Sequence, residues 1–269
     1  METKVDKKVC AVILGAGKGT RMNSSVPKVL VKVHGIPMLE WVVEALMKTK
    51  VSSICTVINE SMDYKMIKDI SPDIYVCYQE QQLGTGDAVA SGGVFLRGVQ
   101  RPLFNQARAC DEDEGRFIDA EYVLICSGDC PGINPVTVSD FIDSFFSSGF
   151  KIGLVGMRPD NPFGYGRLVQ DKDGNLLAIV EEKDASDQDK KISLCNSGMI
   201  IAQKDFLFEC LKKLLPSNSQ KEYYLTDCFK IASEVGEKIF VYEASDYQEF
   251  LGVNDRDQLE KMSSILKRA

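Results

Sequence analysis

An α/β fold built on a mostly parallel sheet is what this sequence predicts, and three observations predict it. Short apolar runs of strand length alternate with segments of helix length, the pattern that right-handed crossovers turn into parallel strands. The first of these runs, Val9 to Leu14, leads straight into a glycine-rich stretch, LGAGKGTRMNSSVPK, from Leu14 to Lys28. Ligands in such sheets bind at the carboxyl ends of the strands, and that is where this stretch falls.

The 269 residues, 44% of them hydrophobic, suit one large domain with a sizeable core. No apolar run approaches the roughly 20 residues that span a bilayer. The N-terminus, METKVDKK, is charged and runs directly into a strand, unlike a secretion signal. A formal net charge of −7 argues against a general nucleic-acid binder but permits a local basic pocket for an anionic metabolite. A soluble, cytoplasmic protein without nucleic-acid or membrane partners is expected. The nine cysteines are scattered, with only Cys126 and Cys130 close together, and several sit inside strand-like runs. Buried reduced thiols are expected, rather than disulfides or a zinc site. His34 is the single histidine, and its loop, LVKVHGIPM, does not mark it as a base.

Taken in order, the glycines at 15, 17 and 19 free the backbone to curl and to approach a ligand. Lys18, Arg21 and Lys28 add charge, so the stretch either cradles a polyphosphate or is a turn with solvated cations. It is not a P-loop, because Gly19 follows Lys18 where Ser or Thr is required. Nor is it the dinucleotide fingerprint, because Thr20 stands at the third glycine.

Pro37 then opens a helix whose buried face is Leu39, Val42, Val43 and Leu46. Ile54–Ile58 and Ile74–Tyr78 read as strands. In YQEQQLGTGDAVASG, from Tyr78 to Gly92, a strand ends and a helix of small residues begins near Asp87. Gln79 offers both donor and acceptor, and the backbone at Gly84-Thr85-Gly86 is bare, so this stretch either reads a base or caps the helix. From about 97 to 121 the periodicity fails; a long surface loop is expected there, with Asp111 to Glu114 a solvated charge run. Tyr122–Ser127 is a strand ending in Gly128-Asp129-Cys130-Pro131. Asp129 there either holds a divalent cation or caps the turn. Asn134-Pro135 starts another helix, and Lys151–Met157 is a strand. A hairpin follows, Arg167–Gln170 and Leu176–Glu181 about Asp173-Gly174-Asn175. Ser193–Ala202 is a strand, helices cover about 204–215 and 225–235, Ile239–Tyr242 is a strand, and Asn254 precedes a last charged helix.

In their order, the 14–28 loop, QLGTG at 82–86, SGDCP at 127–131, GYGR at 164–167, IVEEKDAS at 179–186, CNSG at 195–198, EYYLTD at 222–227 and GVNDR at 252–256 resemble the sugar-nucleotide pyrophosphorylase (nucleotidyltransferase) family. The resemblance runs from about residue 9 to 260, and is strongest to the family's N-acetylglucosamine-1-phosphate uridyltransferases. It implies the nucleotide-diphospho-sugar transferase fold: a Rossmann-like, mostly parallel mixed sheet, helices on both faces, and a small hairpin-containing sugar-side lobe. A nucleotide half at about 9–150 and a sugar half at about 151–260 would form one domain. The implied substrates are UTP and N-acetylglucosamine 1-phosphate, with Mg²⁺ as cofactor.

By the same resemblance, Leu14, Gly15, Ala16, Gly17, Gln79, Gly84 and Thr85 would bind the nucleotide, and Arg21 and Lys28 would act as the catalytic cations. Asp129 and Asn254 would hold the metal. Gly166, Glu181 and Asn196 would bind the sugar, with Tyr223 and Thr226 in the matching sugar-side motif. The sequence departs from the family pattern at Gly15 (usually Ala), Ser127 (Tyr), Asp87 (usually His) and in the longer 97–121 segment. The acetyltransferase repeats of the bifunctional members are absent from the sequence, so that second activity is not expected, and a monomer or weak dimer is. Another sugar-1-phosphate nucleotidyltransferase is the alternative within the class. A non-catalytic module of the same fold is the alternative outside it, and the presence of Lys28, Asp129 and Asn254 speaks against that.

Overall fold

A computed structural model describes residues 7–17, 19, 26–102 and 104–266. The catalytic candidate Arg21 and the conspicuous Lys18 lie outside the described residues. The elements, in order, are β1 (Val9–Leu14), β2 (Lys32–Val33), β3 (Ile36–Pro37), α1 (Met38–Met47), β4 (Val51–Asn59), α2 (Lys65–Lys68), β5 (Tyr75–Gln79), α3 (Thr85–Gly92), β6 (Ala107–Ala109), β7 (Tyr122–Ser127), α4 (Pro135–Ser148), β8 (Ile152–Met157), β9 (Arg167–Gln170), β10 (Leu176–Val180), β11 (Cys195–Gln203), α5 (Lys204–Leu211), α6 (Asp227–Glu234), β12 (Ile239–Glu243) and α7 (Arg256–Ile265).

One sheet of ten strands carries everything except the β2–β3 hairpin. Its centre, β7-β1-β4-β5, is parallel. Beyond β7 the sheet turns antiparallel through β11, which pairs with β7, β8 and β9, while β9 and β10 form the expected hairpin. β12 returns to parallel pairing beside β8.

The two-residue period of β1 divides the core between two helical layers. Val9, Ala11 and Ile13 face the layer that holds the buried sides of α1 and α4. Cys10 and Val12 face the layer of α3, α5 and α6. Side chains covered on both faces explain why this strand reads as an unbroken apolar run. Asn134 caps α4 as its spelling requires, Oδ1 accepting from the Val136 amide at 3.0 Å with Pro135 in the first turn. All nine cysteines are buried and free.

The segment from 97 to 121 departs from the expected surface loop. It contributes β6, antiparallel to β5, and buries Cys110, Ile118 and Ala120. The supposed solvated run is no such thing at Asp113, which is fully buried. Asp113 accepts hydrogen bonds from the Val76 amide (2.8 Å) and Lys68 Nζ (2.9 Å), and pairs with Arg116. Three acidic neighbours hide one carboxylate that knits the segment to the sheet edge.

Candidate active site

Because β1, β4, β5 and β7 run in parallel, their last residues arrive at one edge: Leu14 pairs with Ser127, and Asn59 with Gln79. The loops that leave this edge enclose a cavity of 440 Å³. Every nucleotide-binding candidate lines it: Leu14, Gly15, Ala16, Gly17, Gln79, Gly84 and Thr85, together with Lys28 and Asp129.

Two glycine-bearing stretches form its walls, and each is held by hydrogen bonds that need a bare backbone. Gly15 N–H donates to Val57 O at 2.8 Å. A Cβ at Gly15 would stand 3.1 Å from that same oxygen, so an alanine here would need Val57 to give way by a few tenths of an ångström. Ala16 O accepts from Asn59 Nδ2 (3.0 Å) and from Gln82 Nε2. Gly17 has open space around it, and Gly19, at a φ of 58°, folds onto Lys28 so closely that a Cβ there would lie 2.7 Å from the lysine's own.

The opposite wall is QLGTG laced to EYYLTD. Tyr223 N–H donates to Leu83 O (2.7 Å), Gly86 N–H to Tyr223 O (2.8 Å) and Leu225 N–H to Thr85 Oγ1 (3.0 Å). At Gly84, with φ of 118°, a Cβ would come within 2.7 Å of Tyr223 O. The Thr85 hydroxyl is thus engaged in this lacing. Tyr223, expected on the sugar side, uses its backbone to hold the nucleotide wall and stacks its ring on Phe104, centroids 3.7 Å apart.

At the mouth, the Lys28 ammonium donates to Asp129 Oδ2 and to Asn254 Oδ1 (2.7 Å). Three residues far apart in the chain meet here. Ser127 donates to Asp129 Oδ1 at 2.6 Å, and Val253 N–H donates to Asp129 O at 3.0 Å, tying the Asn254 loop to the end of β7. Asp129 does not cap the following turn; its carboxylate faces the cation. Lys28 and Asp129 are 11% and 14% exposed, so the pair is shielded yet keeps a face on the cavity. Two hard oxygens, from a carboxylate and a side-chain amide, already converge on one cation, a donor set that suits Mg²⁺ once phosphate oxygens and water complete its shell. Among the described residues no cluster of three or more His, Cys, Asp or Glu could hold a metal by itself.

The sugar-side candidates gather along β9–β11. Glu181 Oε1 accepts from Thr226 Oγ1 at 2.9 Å, and its other oxygen lies close to Gly166, where a Cβ would meet it at 3.3 Å. Asn196 N–H donates to Gly166 O at 2.8 Å. Burial raises the Glu181 pKa, and the Thr226 hydroxyl opposes the rise. Nearby, buried Arg167 pairs with Glu182 at 2.8 Å and donates to Tyr165 O, stiffening the base of the hairpin. The sequence reading missed Gln82 and Glu222, which also line the cavity. Both lie inside motifs already singled out, one residue from Leu83 and Tyr223. His34 stays outside: it sits at the β2–β3 turn and meets Ser263 O at 2.8 Å.

The architecture is the nucleotide-diphospho-sugar transferase fold. A UDP-glucose pyrophosphorylase solved with UDP-glucose matches with a TM-score of 0.70 at 15% identity, over 96% of this chain and 98% of that one. HddC from Yersinia pseudotuberculosis, solved with GMP-PN, matches with a TM-score of 0.63 at 20% identity, over 96% and 99%. The chain itself belongs to the MobA-like NTP transferase domain family, which matches residues 11–173. Among its relatives, the bifunctional protein GlmU of Lactobacillus gasseri is 37% identical over 258 residues, 96% of this chain and 51% of the relative. GlmU of Geobacter metallireducens is 37% identical over 254 residues, 93% of this chain and 49% of the relative. The chain spans about half the length of these curated relatives. The family-level resemblance carried by the ordered motifs is thereby borne out, and no helix among the described residues is long and apolar enough to cross a membrane.

Proposed function

We propose that this nucleotidyltransferase domain joins UTP to N-acetylglucosamine 1-phosphate, giving UDP-N-acetylglucosamine and pyrophosphate. The observation that carries this reading is the meeting of Lys28 with Asp129 and Asn254 at the mouth of a glycine-walled cavity. The likeness to GlmU across nearly the whole chain supports the choice of substrates.

In the proposed reaction a sugar-phosphate oxygen attacks the α-phosphorus of the nucleotide in line, an O–P bond forms, and the bond to the leaving pyrophosphate breaks. A phosphate with a second pKa of about 6 is already ionised at neutral pH, so the attack needs no general base. A site without a histidine suits that chemistry. What remains is to hold two polyanions together in line, which demands fixed cations and position. Lys28 would hold positive charge against the phosphates, and the bare backbone at 15–17 lets them approach. Asp129 and Asn254 would hold Mg²⁺, which supplies charge neutralisation at the phosphate oxygens. Gly166, Glu181 and Asn196 would orient the sugar, Glu181 as an acceptor for a hydroxyl or amide hydrogen.

The test is pyrophosphate release measured with UTP, N-acetylglucosamine 1-phosphate and Mg²⁺, alongside a panel of other nucleotides and sugar phosphates. Turnover highest with the named pair is expected. No release with that pair, and release with another, overturns the substrate assignment but keeps the class.

A further inference from the structure

The long 97–121 segment reaches the nucleotide cavity through a chain of hydrogen bonds whose direction is fixed by chemistry. Arg101 can only donate, and its Nη1 lies 3.1 Å from Asn105 Oδ1 and 3.1 Å from Ala107 O. The carbonyl of Asn105 must therefore face Arg101, and its amino group must face the other way. Asn105 Nδ2 accordingly donates to Asp87 Oδ1 at 2.8 Å, with Ser91 Oγ at 3.0 Å beside it. Asp87 is 1% exposed, and its second oxygen accepts from Gln79 Nε2 at 2.7 Å. The same Nε2 donates to Gly84 O at 3.2 Å. Two acceptors that cannot donate thus claim the amino end of Gln79. Its carbonyl Oε1 accepts no hydrogen bond among the described residues, and the side chain lines the nucleotide cavity.

We infer that Asp87, held in place by Asn105 and through it by Arg101, locks the Gln79 amide with its carbonyl toward the nucleotide, and that this positioning relay selects a base with a ring N–H. Uracil offers an N3–H to such an acceptor; cytosine offers a lone pair at the same atom. The inference rests on the proposed nucleotide site and adds three residues to it, one of which, Asp87, departs from the usual family pattern. It also gives the 97–121 segment a role at the site, reinforced by the Phe104 ring against Tyr223.

Asp87→Asn tests the relay at constant shape. Asn105, held by Arg101, still requires an acceptor, so the new amide turns its oxygen to Asn105 and its amino group to Gln79. Gln79 must then turn its own oxygen inward and its amino group toward the base. The readout is the ratio of kcat/KM for UTP to that for CTP, with N-acetylglucosamine 1-phosphate and Mg²⁺ present and melting temperatures as a fold control. A fall of about tenfold or more in that ratio is expected, from loss of one partner of a buried hydrogen bond and gain of another. Asn105→Ala, which touches nothing in the cavity wall directly, leaves Asp87 an acceptor but removes the hydrogen bond that fixes its carboxylate against Gln79, and shifts the ratio the same way by less. If the wild type uses UTP and both variants lose UTP and CTP turnover in proportion, the relay is overturned and the functional reading stands. If the wild type does not use UTP, the functional reading falls and the relay falls with it.

Discussion

Two aspartates, Asp113 and Asp129, both pair with lysine, yet one fastens the fold and the other faces the proposed site. Asp113 has no exposed surface, and its two oxygens are saturated by the Val76 amide, Lys68, Arg116 and the Cys110 thiol at 3.3 Å. Asp129 keeps 14% of its side chain exposed, and the Lys28 ammonium it meets is shared with Asn254 across the mouth of a cavity. Desolvation is nearly complete in the first case and deliberately incomplete in the second. A saturated carboxylate can only fasten; one with a face on a cavity can exchange its cation and take part in binding.

Substitution should separate the two most sharply in turnover. Lys28→Ala and Asp129→Ala are each expected to cut pyrophosphate release on the order of a hundredfold or more, because fixed charge aimed at transferring phosphates is the main catalytic resource. Their melting temperatures should move less than that of an Asp113 variant, since the partner left behind still reaches water in the cavity. Near-normal turnover in either variant would sink the assignment of the site.

Asp113→Ala should do the opposite. Removing it leaves Lys68, 10% exposed, without its counter-charge, and breaking a buried pair in this way costs about 3–5 kcal/mol. Urea unfolding should report that loss, while the folded fraction at low temperature should turn over within a few-fold of wild type. The pH dependence has a definite sign. Burial alone would raise the Asp113 pKa, but the hydrogen bonds from Lys68, Val76 and Cys110 outweigh it, and the net shift is downward. A carboxyl held below its unfolded value stabilises the fold above that value and loses the contribution as pH falls through the folded one. Acid unfolding of the wild type should therefore show a component that Asp113→Ala lacks. Coincident acid transitions in the two proteins would mean that Asp113 does not anchor the segment.

The contrast also marks how far the sequence could be read. Central strands were legible because both faces are covered and the residues are apolar without interruption, as in β1. The loops at the carboxyl edge were legible because each central strand ends in glycine-bearing spelling at the place where the fold needs close approach. β4 begins at Val51, before its apolar run, because Ser52 and Ser53 extend the strand where it is only partly covered. Asp113 was not legible: its partner Lys68 lies 45 residues away, and Asp111, Glu112 and Glu114 around it look alike in sequence. β6, three residues long, carries no period to detect. Tyr223 was recognised by its motif, but its stacking partner Phe104 lies in the segment that had no pattern, so its side of the cavity could not be foreseen.

A half-buried carboxylate, Glu181, gives the smallest expected effect and the finest test of the comparison. It is less covered than Asp113 and has one hydroxyl donor, Thr226, where Asp113 has four partners. Burial raises its pKa, Thr226 lowers it, and the neighbouring Asp227 and Asp184 raise it again. Its stability linkage therefore runs opposite to that of Asp113: the folded state holds its proton more tightly, and the contribution is lost as pH rises through the folded pKa. Thr226→Val removes the one group that favours the charged form, so the Glu181 pKa should climb further. If the ionised carboxylate accepts a hydrogen from the sugar, the acid limb of kcat/KM for N-acetylglucosamine 1-phosphate should move to higher pH. Turnover well above that limb should stay near wild type, because the carboxylate is ionised there with or without the hydroxyl. An equal loss at every pH would instead assign Thr226 to packing at the start of α6 and detach Glu181 from sugar binding.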